Sequence, residues 1–244
     1  MQLLKDLNLS RIAAVDIETV RIKEHYKDLS DQYRMAWQYK NKQDGVIPSE
    51  EELSDLWERT ASLYAEFSKV CAISIAYKSV NKKGKTECME LFGENELDIL
   101  NSAHDLFDRL KVGGFLLAAH AGKYFDYPYL CKRYVINGME IPSILDSAHL
   151  KPWENTNICT NNDVWKMGGT GPGSSLLALS VALGLPISKA DLVGDEVGSA
   201  YFEKKYKEIG RYCSLDAVTT LHLLHKIKGE QFDPNFDNVI YKKF

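Results

Sequence analysis

The stretch Ile12-Ala13-Ala14-Val15-Asp16-Ile17-Glu18-Thr19 constrains this chain more than any other. Its near-continuous apolar character from Arg11 to Ile17 predicts a first strand buried on both faces, hence central in a sheet. Side chains alternate along a strand, so Asp16 and Glu18 project to one side, about 6.6 Å apart along the backbone. Two carboxylates there repel unless something positive lies between them. A divalent cation of the Mg2+ kind meets that need, since it takes carboxylate oxygens and keeps open water positions. The plain alternative is a solvated strand end.

The rest of the chain provides the context. With 244 residues, 45% hydrophobic and 26% charged, it is long enough to bury a substantial core in one large domain. The N-terminus meets Lys5 and Asp6 at once, and the longest apolar stretch, near Phe115 to Ala119, is far too short to span a bilayer. A cytoplasmic location is the expectation. Five scattered cysteines without a Cys-x-x-Cys pair argue against zinc and a disulfide framework, and for reduced, partly buried thiols. A net charge of −4 speaks against a basic DNA-coating protein. It leaves room for a nucleic-acid enzyme whose acidic site is neutralised by bound cations.

Residues 21–68 read as a mostly helical insertion, with aromatics at Tyr26, Tyr33, Trp37 and Tyr39. Ser49 and Glu52 predict a capping box at the start of a helix whose apolar face runs from Leu53 to Phe67. Further strands are expected at 70–77, 86–92, 114–119 and 144–146, with helices at 96–110 and 125–134. An irregular segment rich in Asn and Gly follows at 151–173. Helices at 174–183, 196–206 and 208–228 close the chain. The order predicts a single α/β domain spanning 1–244, with a mixed sheet of about five strands flanked by helices.

Two more acidic stretches carry chemistry. In His120-Ala121-Gly122-Lys123-Tyr124-Phe125-Asp126, Asp126 falls at the start of a helix, where a carboxylate also serves as a plain cap. In Tyr212-Cys213-Ser214-Leu215-Asp216, Tyr212 and Asp216 are four apart and share a helical face. An Asp beside a buried stripe is costly unless it pairs or binds metal; Arg211 and Lys207 are the nearby bases.

A strand-borne Asp-x-Glu, then His-x-x-x-x-Phe-Asp after a later strand, then Tyr-x-x-x-Asp on a late helix resembles the DEDD superfamily of 3′–5′ exonucleases in its tyrosine subclass. More narrowly, the chain resembles the stand-alone predicted exonucleases related to the proofreading domain of family-B DNA polymerases. The run Ser175-Leu176-Leu177-Ala178-Leu179, Leu183-Gly184-Leu185-Pro186 and Lys189 to Gly194 extend the likeness. No polymerase module is expected. One departure is Ala121, where relatives usually carry Asn. Arg211, five before Asp216, stands where the histidine subclass would have His.

The resemblance implies a ribonuclease-H-like fold and a two-ion site with Mg2+, or Mn2+ in its place. Asp16 would bridge both ions. Glu18 and Asp216 would complete the site of the ion that binds the attacking water, Asp126 would hold the second ion, and Tyr212 would orient the water. Two cations about 4 Å apart activate water on one side and stabilise the leaving 3′ oxygen on the other. With a reference pKa of about 10, Tyr212 is a poor base, so its role is positional. The expected partner is single-stranded nucleic acid, DNA ahead of RNA, with release of nucleoside 5′-monophosphates. The alternatives are an exoribonuclease, a catalytically silent nucleic-acid-binding module, and a metal-dependent phosphatase, which has no motif of its own here.

Other features carry weaker expectations. The Gly168–Gly173 run lacks a Gly-Lys-Ser/Thr ending and reads as a loop. Trp153 and Trp165 either stack on bases or pack the loop down. Lys123, Lys166 and Lys189 either meet phosphates or stay solvated. His120 is assigned a structural hydrogen-bonding role, Asp146 a role in shaping the cleft, and His222 and His225 no function.

Overall fold

The computed structural model describes residues 7–79, 81–82, 84–151, 154–187 and 192–243. Trp153 and Lys189, and with them their expected nucleic-acid contacts, lie outside these residues. Strand β1 (Ile12–Arg21) pairs antiparallel with β2 (Ser68–Lys78), which forms a hairpin with β3 (Thr86–Phe92). On its other side β1 pairs in parallel with β4 (Leu116–Ala119). The sheet is completed by β5 (Ile158–Cys159) and β6 (Val239–Lys243), in the order β5-β4-β1-β2-β3-β6. This mixed six-stranded sheet, flanked by helices, is the α/β architecture expected from the sequence.

β1 is buried from both sides, as its apolar run demands. Ala13, Val15 and Ile17 enter a core built with α3 (Glu96–Val112) and α4 (Asp126–Ile136). Ile12 and Ala14 enter a second core beneath the long helix α7 (Tyr206–Lys228), through Ala217, Val218, Leu221 and Leu224. Two shorter helices, α5 (Leu176–Leu183) and α6 (Val197–Phe202), lie on the α7 side and add Leu179, Val197 and Ala200 to neighbouring clusters.

The insertion after β1 has a small core of its own. Helices α1 (Asp31–Lys40) and α2 (Glu50–Thr60) enclose Trp37 and Trp57, edge-to-face at 5.2 Å, with Phe67 5.0 Å from Trp37. Each indole N–H is satisfied, Trp37 by the Leu53 carbonyl and Trp57 by that of Lys23, as buried tryptophans require. The Ser49–Glu52 capping box forms as predicted. The helix stops at Thr60 rather than running to Phe67, because a 3₁₀ turn at Ala61–Leu63 leads the chain into β2.

Four further expectations are corrected. Residues 144–146 do not form a strand: Leu145 and Asp146 both donate to the Pro142 carbonyl, so the buried pair Ile144–Leu145 sits in a turn. The fifth strand comes instead from the segment read as irregular, as the two-residue β5, followed by a π-helical turn at Thr160–Trp165. The helix predicted at 196–206 ends at Phe202, and Tyr206 begins α7. β6 was not anticipated. It pairs in parallel with β3 at the sheet edge, where one half-exposed face leaves little hydrophobic pattern to read. Arg211 stacks 4.0 Å above its Tyr241 ring.

Buried ties hold the layers in register. The Glu96 carboxylate accepts from Arg133 Nε at 2.8 Å, from Arg133 Nη2 at 2.5 Å and from the Val70 N–H at 2.7 Å, linking α3, α4 and β2. A bidentate arrangement of this kind satisfies both charges. The five cysteines are all free, and four are buried.

Candidate active site

The site forms because β1 is longer than the strand beside it. The parallel pairing of β1 with β4 runs only to Ala14–Ala118, and β4 ends at Ala119. Beyond that point β1 continues as Asp16-Ile17-Glu18 with the β4 side of its backbone free. The chain leaving β4 turns through His120–Phe125 and starts α4 at Asp126, whose carboxylate accepts the N–H of Ile17 and its own N–H. Ligand sites of open α/β sheets gather in such crevices at strand ends. On the opposite face α7 delivers Asp216 and Tyr212, the tyrosine hydroxyl donating to Asp216.

The tight turn before Asp126 depends on two backbone features. A Cβ on Gly122 would stand 2.3 Å from the Ala119 Cβ, so only glycine fits there. Ala121 adopts a left-handed φ of +64°, and its carbonyl accepts from Tyr124 and Phe125. Asn tolerates this region better than Ala, which gives the departure at Ala121 a conformational meaning. His120 performs the structural role expected of it. Its Nε2 donates to the Ser174 carbonyl at 2.8 Å and its Nδ1 meets Thr160 Oγ1 at 2.9 Å, while burial lowers its pKa and favours the neutral ring.

All five predicted residues thus converge, and the acids are held against their charge. Burial, then Asp216, Glu18 and Asp126, raise the Asp16 pKa well above the carboxylate range. Burial followed by Asp216 and Asp126 does the same to Glu18. Burial lifts Asp126 to about 7 and Asp216 to about 6, against a donated hydrogen bond from Tyr212 in the second case. Tyr212 is itself pushed up by burial and by Asp216, Glu18 and Asp16. It stays a neutral donor. Asp126 is buried, whereas Asp16, Glu18 and Asp216 keep part of their surface open.

These groups fit a hard cation. Asp16 Oδ2 is buried with no hydrogen-bond partner, an arrangement that is costly unless something else binds it. The donor set is all oxygen. Among the described residues, no three acids, imidazoles or thiols are drawn together as a ready-made cage. Mg2+ does not require one, because it is commonly held by one or two carboxylates with water and substrate phosphate filling the rest.

Two clefts flank the acids. One of about 690 Å3 is lined by Glu18, Thr19 and Arg21 of β1, by Glu58, Arg59, Ser62 and Leu63 of the insertion, by Phe125, and by Gly194, Asp195, Val197 and Gly198. The other, about 400 Å3, runs past Tyr212 and Asp216 between Leu176, Leu177, Ile187, Leu192 and Val193.

A family model described as a predicted 3′–5′ exonuclease related to the exonuclease domain of PolB matches residues 61–243. The chain belongs to this family. The matched residues include Asp126, Tyr212 and Asp216. They leave out β1 with Asp16 and Glu18, and most of the insertion, so those two acids are joined to the other three residues by geometry. No curated protein matches the chain.

Several secondary expectations meet their structural context. Lys123 pairs with Asp163 at 2.8 Å rather than facing a cleft. Trp165 packs on the Leu179–Leu185–Leu223 cluster, so it holds its loop down. Asp146 faces His149 at 3.7 Å and lines neither cleft, contrary to the role expected of it. Asp216 pairs with Tyr212, not with Arg211 or Lys207. Sequence reasoning missed the cleft wall formed by Arg59–Leu63. Some forty residues separate it from Glu18 and no motif marks it, although Thr19 Oγ1 donating to the Ser62 carbonyl at 2.8 Å binds the two together. Among the described residues no helix is long and apolar enough to cross a membrane.

Proposed function

We propose that the protein is a metal-dependent 3′–5′ exonuclease that removes nucleoside 5′-monophosphates from single-stranded DNA. The convergence of four mutually repelling carboxylates, one with an unpartnered buried oxygen, carries this reading. Asp16, Glu18, Asp126 and Asp216 would hold the divalent ions, Mg2+ or Mn2+. Bound there, such ions supply a nucleophilic hydroxide near neutral pH and stabilise the departing 3′ oxygen.

The chain's own residues complete the chemistry. Tyr212 directs its hydroxyl proton to Asp216, which leaves its oxygen lone pairs to accept from water and orient it. A phenol made harder to ionise does not remove a proton itself. The Cys213 thiol donates to the Asp16 carbonyl at 3.3 Å and steadies β1 at the site. Leu176, Leu177, Ile187 and Val193 give the smaller cleft an apolar lining on which unpaired bases can rest through non-directional hydrophobic contact.

The test is degradation of matched labelled DNA and RNA oligonucleotides with Mg2+ or Mn2+. Stepwise shortening of the 3′ end with release of 5′-monophosphates is expected, faster on DNA. Faster loss of RNA would make the enzyme an exoribonuclease, and intact substrate with both metals would leave a silent binding module.

A further inference from the structure

Arg21 ends β1 in the larger cleft, in a part of the chain the family match does not reach. Its guanidinium is held without a carboxylate. Nε donates to the Glu24 carbonyl at 2.8 Å, and the planar group lies 5.1 Å over the Phe202 ring. Nη1 rests against α6 where a Cβ on Gly198 would stand only 2.6 Å away. The acids that favour its charge at a distance, Glu58 and Glu24, approach His25 instead, at 3.6 and 3.9 Å. No carboxylate among the described residues forms an ion pair with Arg21. It is half-buried, and burial works against its charge. With Nε committed, the Nη1–Nη2 end of a fixed guanidinium without an acid, on the wall of a cleft, suits an oxyanion bound through two parallel hydrogen bonds.

We infer that Arg21 binds a phosphate of the nucleic-acid strand beside the reacting one, and so positions the substrate in the cleft walled by the insertion. Arg21 stands three residues beyond Glu18 on β1, about 10 Å along the strand, which puts the contact away from the scissile phosphate. The inference rests on the exonuclease reading for the identity of the ligand. The phosphate is either a diester within the strand or a monoester at its 3′ end.

Binding tests this without turnover. A 5′-fluorescein-labelled dT12, ending in either a 3′-hydroxyl or a 3′-phosphate, is titrated with wild type, Arg21→Gln and Arg21→Lys in Ca2+ across a salt series. Arg21→Gln is expected to weaken binding about tenfold. It should also flatten the slope of log affinity against log salt by about 0.7, the value of one single-strand phosphate. Arg21→Lys should keep the slope and recover only part of the affinity, because a point charge replaces a fork. Lys111→Gln, on the exposed end of α3, controls for net charge and should change neither.

Loss with both strands assigns an internal diester; loss with the 3′-phosphate strand alone assigns the terminal monoester. Wild-type slope and affinity in Arg21→Gln would overturn the inference, as would Arg21→Lys behaving like Arg21→Gln despite an unchanged melting temperature. Tight binding by wild type with no cleavage in Mg2+ or Mn2+ would sink the exonuclease reading alone, while the Arg21 contact would still be measured.

Discussion

Asp126→Asn should make the metal-free protein more stable at pH 8 while destroying its activity. The folded carboxyl titrates near 7 against an ordinary 3.8. At pH 8 its ionised form therefore withholds about 4 kcal/mol from the native state. Asn removes that charge but gives up part of the hydrogen bonding to the Ile17 and Asp126 N–H groups, a loss of about 2 kcal/mol. The variant should thus exceed wild type by about 2 kcal/mol at pH 8. Between about pH 4 and pH 7 the folded wild type holds a proton that the unfolded chain releases, so its stability falls as pH rises through that window and levels off above it. The advantage of Asn should accordingly shrink to near zero by pH 5. Urea unfolding in EDTA at pH 5, 6, 7 and 8 measures this difference, and comparing the two proteins at each pH cancels the shared titration of His120, His222 and His225. Added Mg2+ should stabilise wild type by mass action and the variant less. An Asn variant weaker than wild type at pH 8, or a difference that ignores pH, would refute the reasoning that burial holds the Asp126 carboxyl against its charge in the metal-free protein.

Asp16→Ala should abolish nuclease activity with either metal while the circular dichroism spectrum and cooperative unfolding persist; retained activity would remove Asp16 from the metal site. Tyr212→Phe should lower turnover with little change in strand affinity, since the ring still packs, and equal turnover would exclude a role for the hydroxyl. Ala121→Asn should stabilise the protein by about 1 kcal/mol, because the left-handed φ of +64° is strained for Ala. Thermal melting reads that gain, and no gain would mean that the turn relaxes around Ala.

What the sequence revealed and what it hid divide along physical lines. β1, the β2–β3 hairpin, α3 and α7 were legible because each buries a regular apolar pattern. The site acids were legible because charge at the end of such a pattern has few ordinary explanations. Ile144–Leu145 misled for the same reason. Two buried apolar residues resemble a strand, yet here they fill the core from a turn whose hydrogen bonds close on Pro142. β5 is only two residues long, shorter than any period that can be recognised. The contributions of Arg21 and Arg59–Leu63 depend on an insertion folding back on its own strand, a tertiary event with no local signature.

The basic residues around the acids explain why the pocket should draw its counter-charge from outside. Lys123 is committed to Asp163 and the Asn155 carbonyl. Arg133 is committed to Glu96 and the Ala65 carbonyl. Arg211 turns away to cover Tyr241, and Arg21 is anchored on the Glu24 carbonyl and the Phe202 ring. Any one of these cations beside Asp16 would have lowered its pKa, and none does. A chain selected only for stability would neutralise four clustered acids internally, or replace them with apolar side chains. Leaving them without a cationic partner, with Asp16 Oδ2 lacking any hydrogen bond, is reasonable if a cation completes the pocket. The instability predicted for the metal-free protein at pH 8 is the measurable counterpart of that readiness to bind.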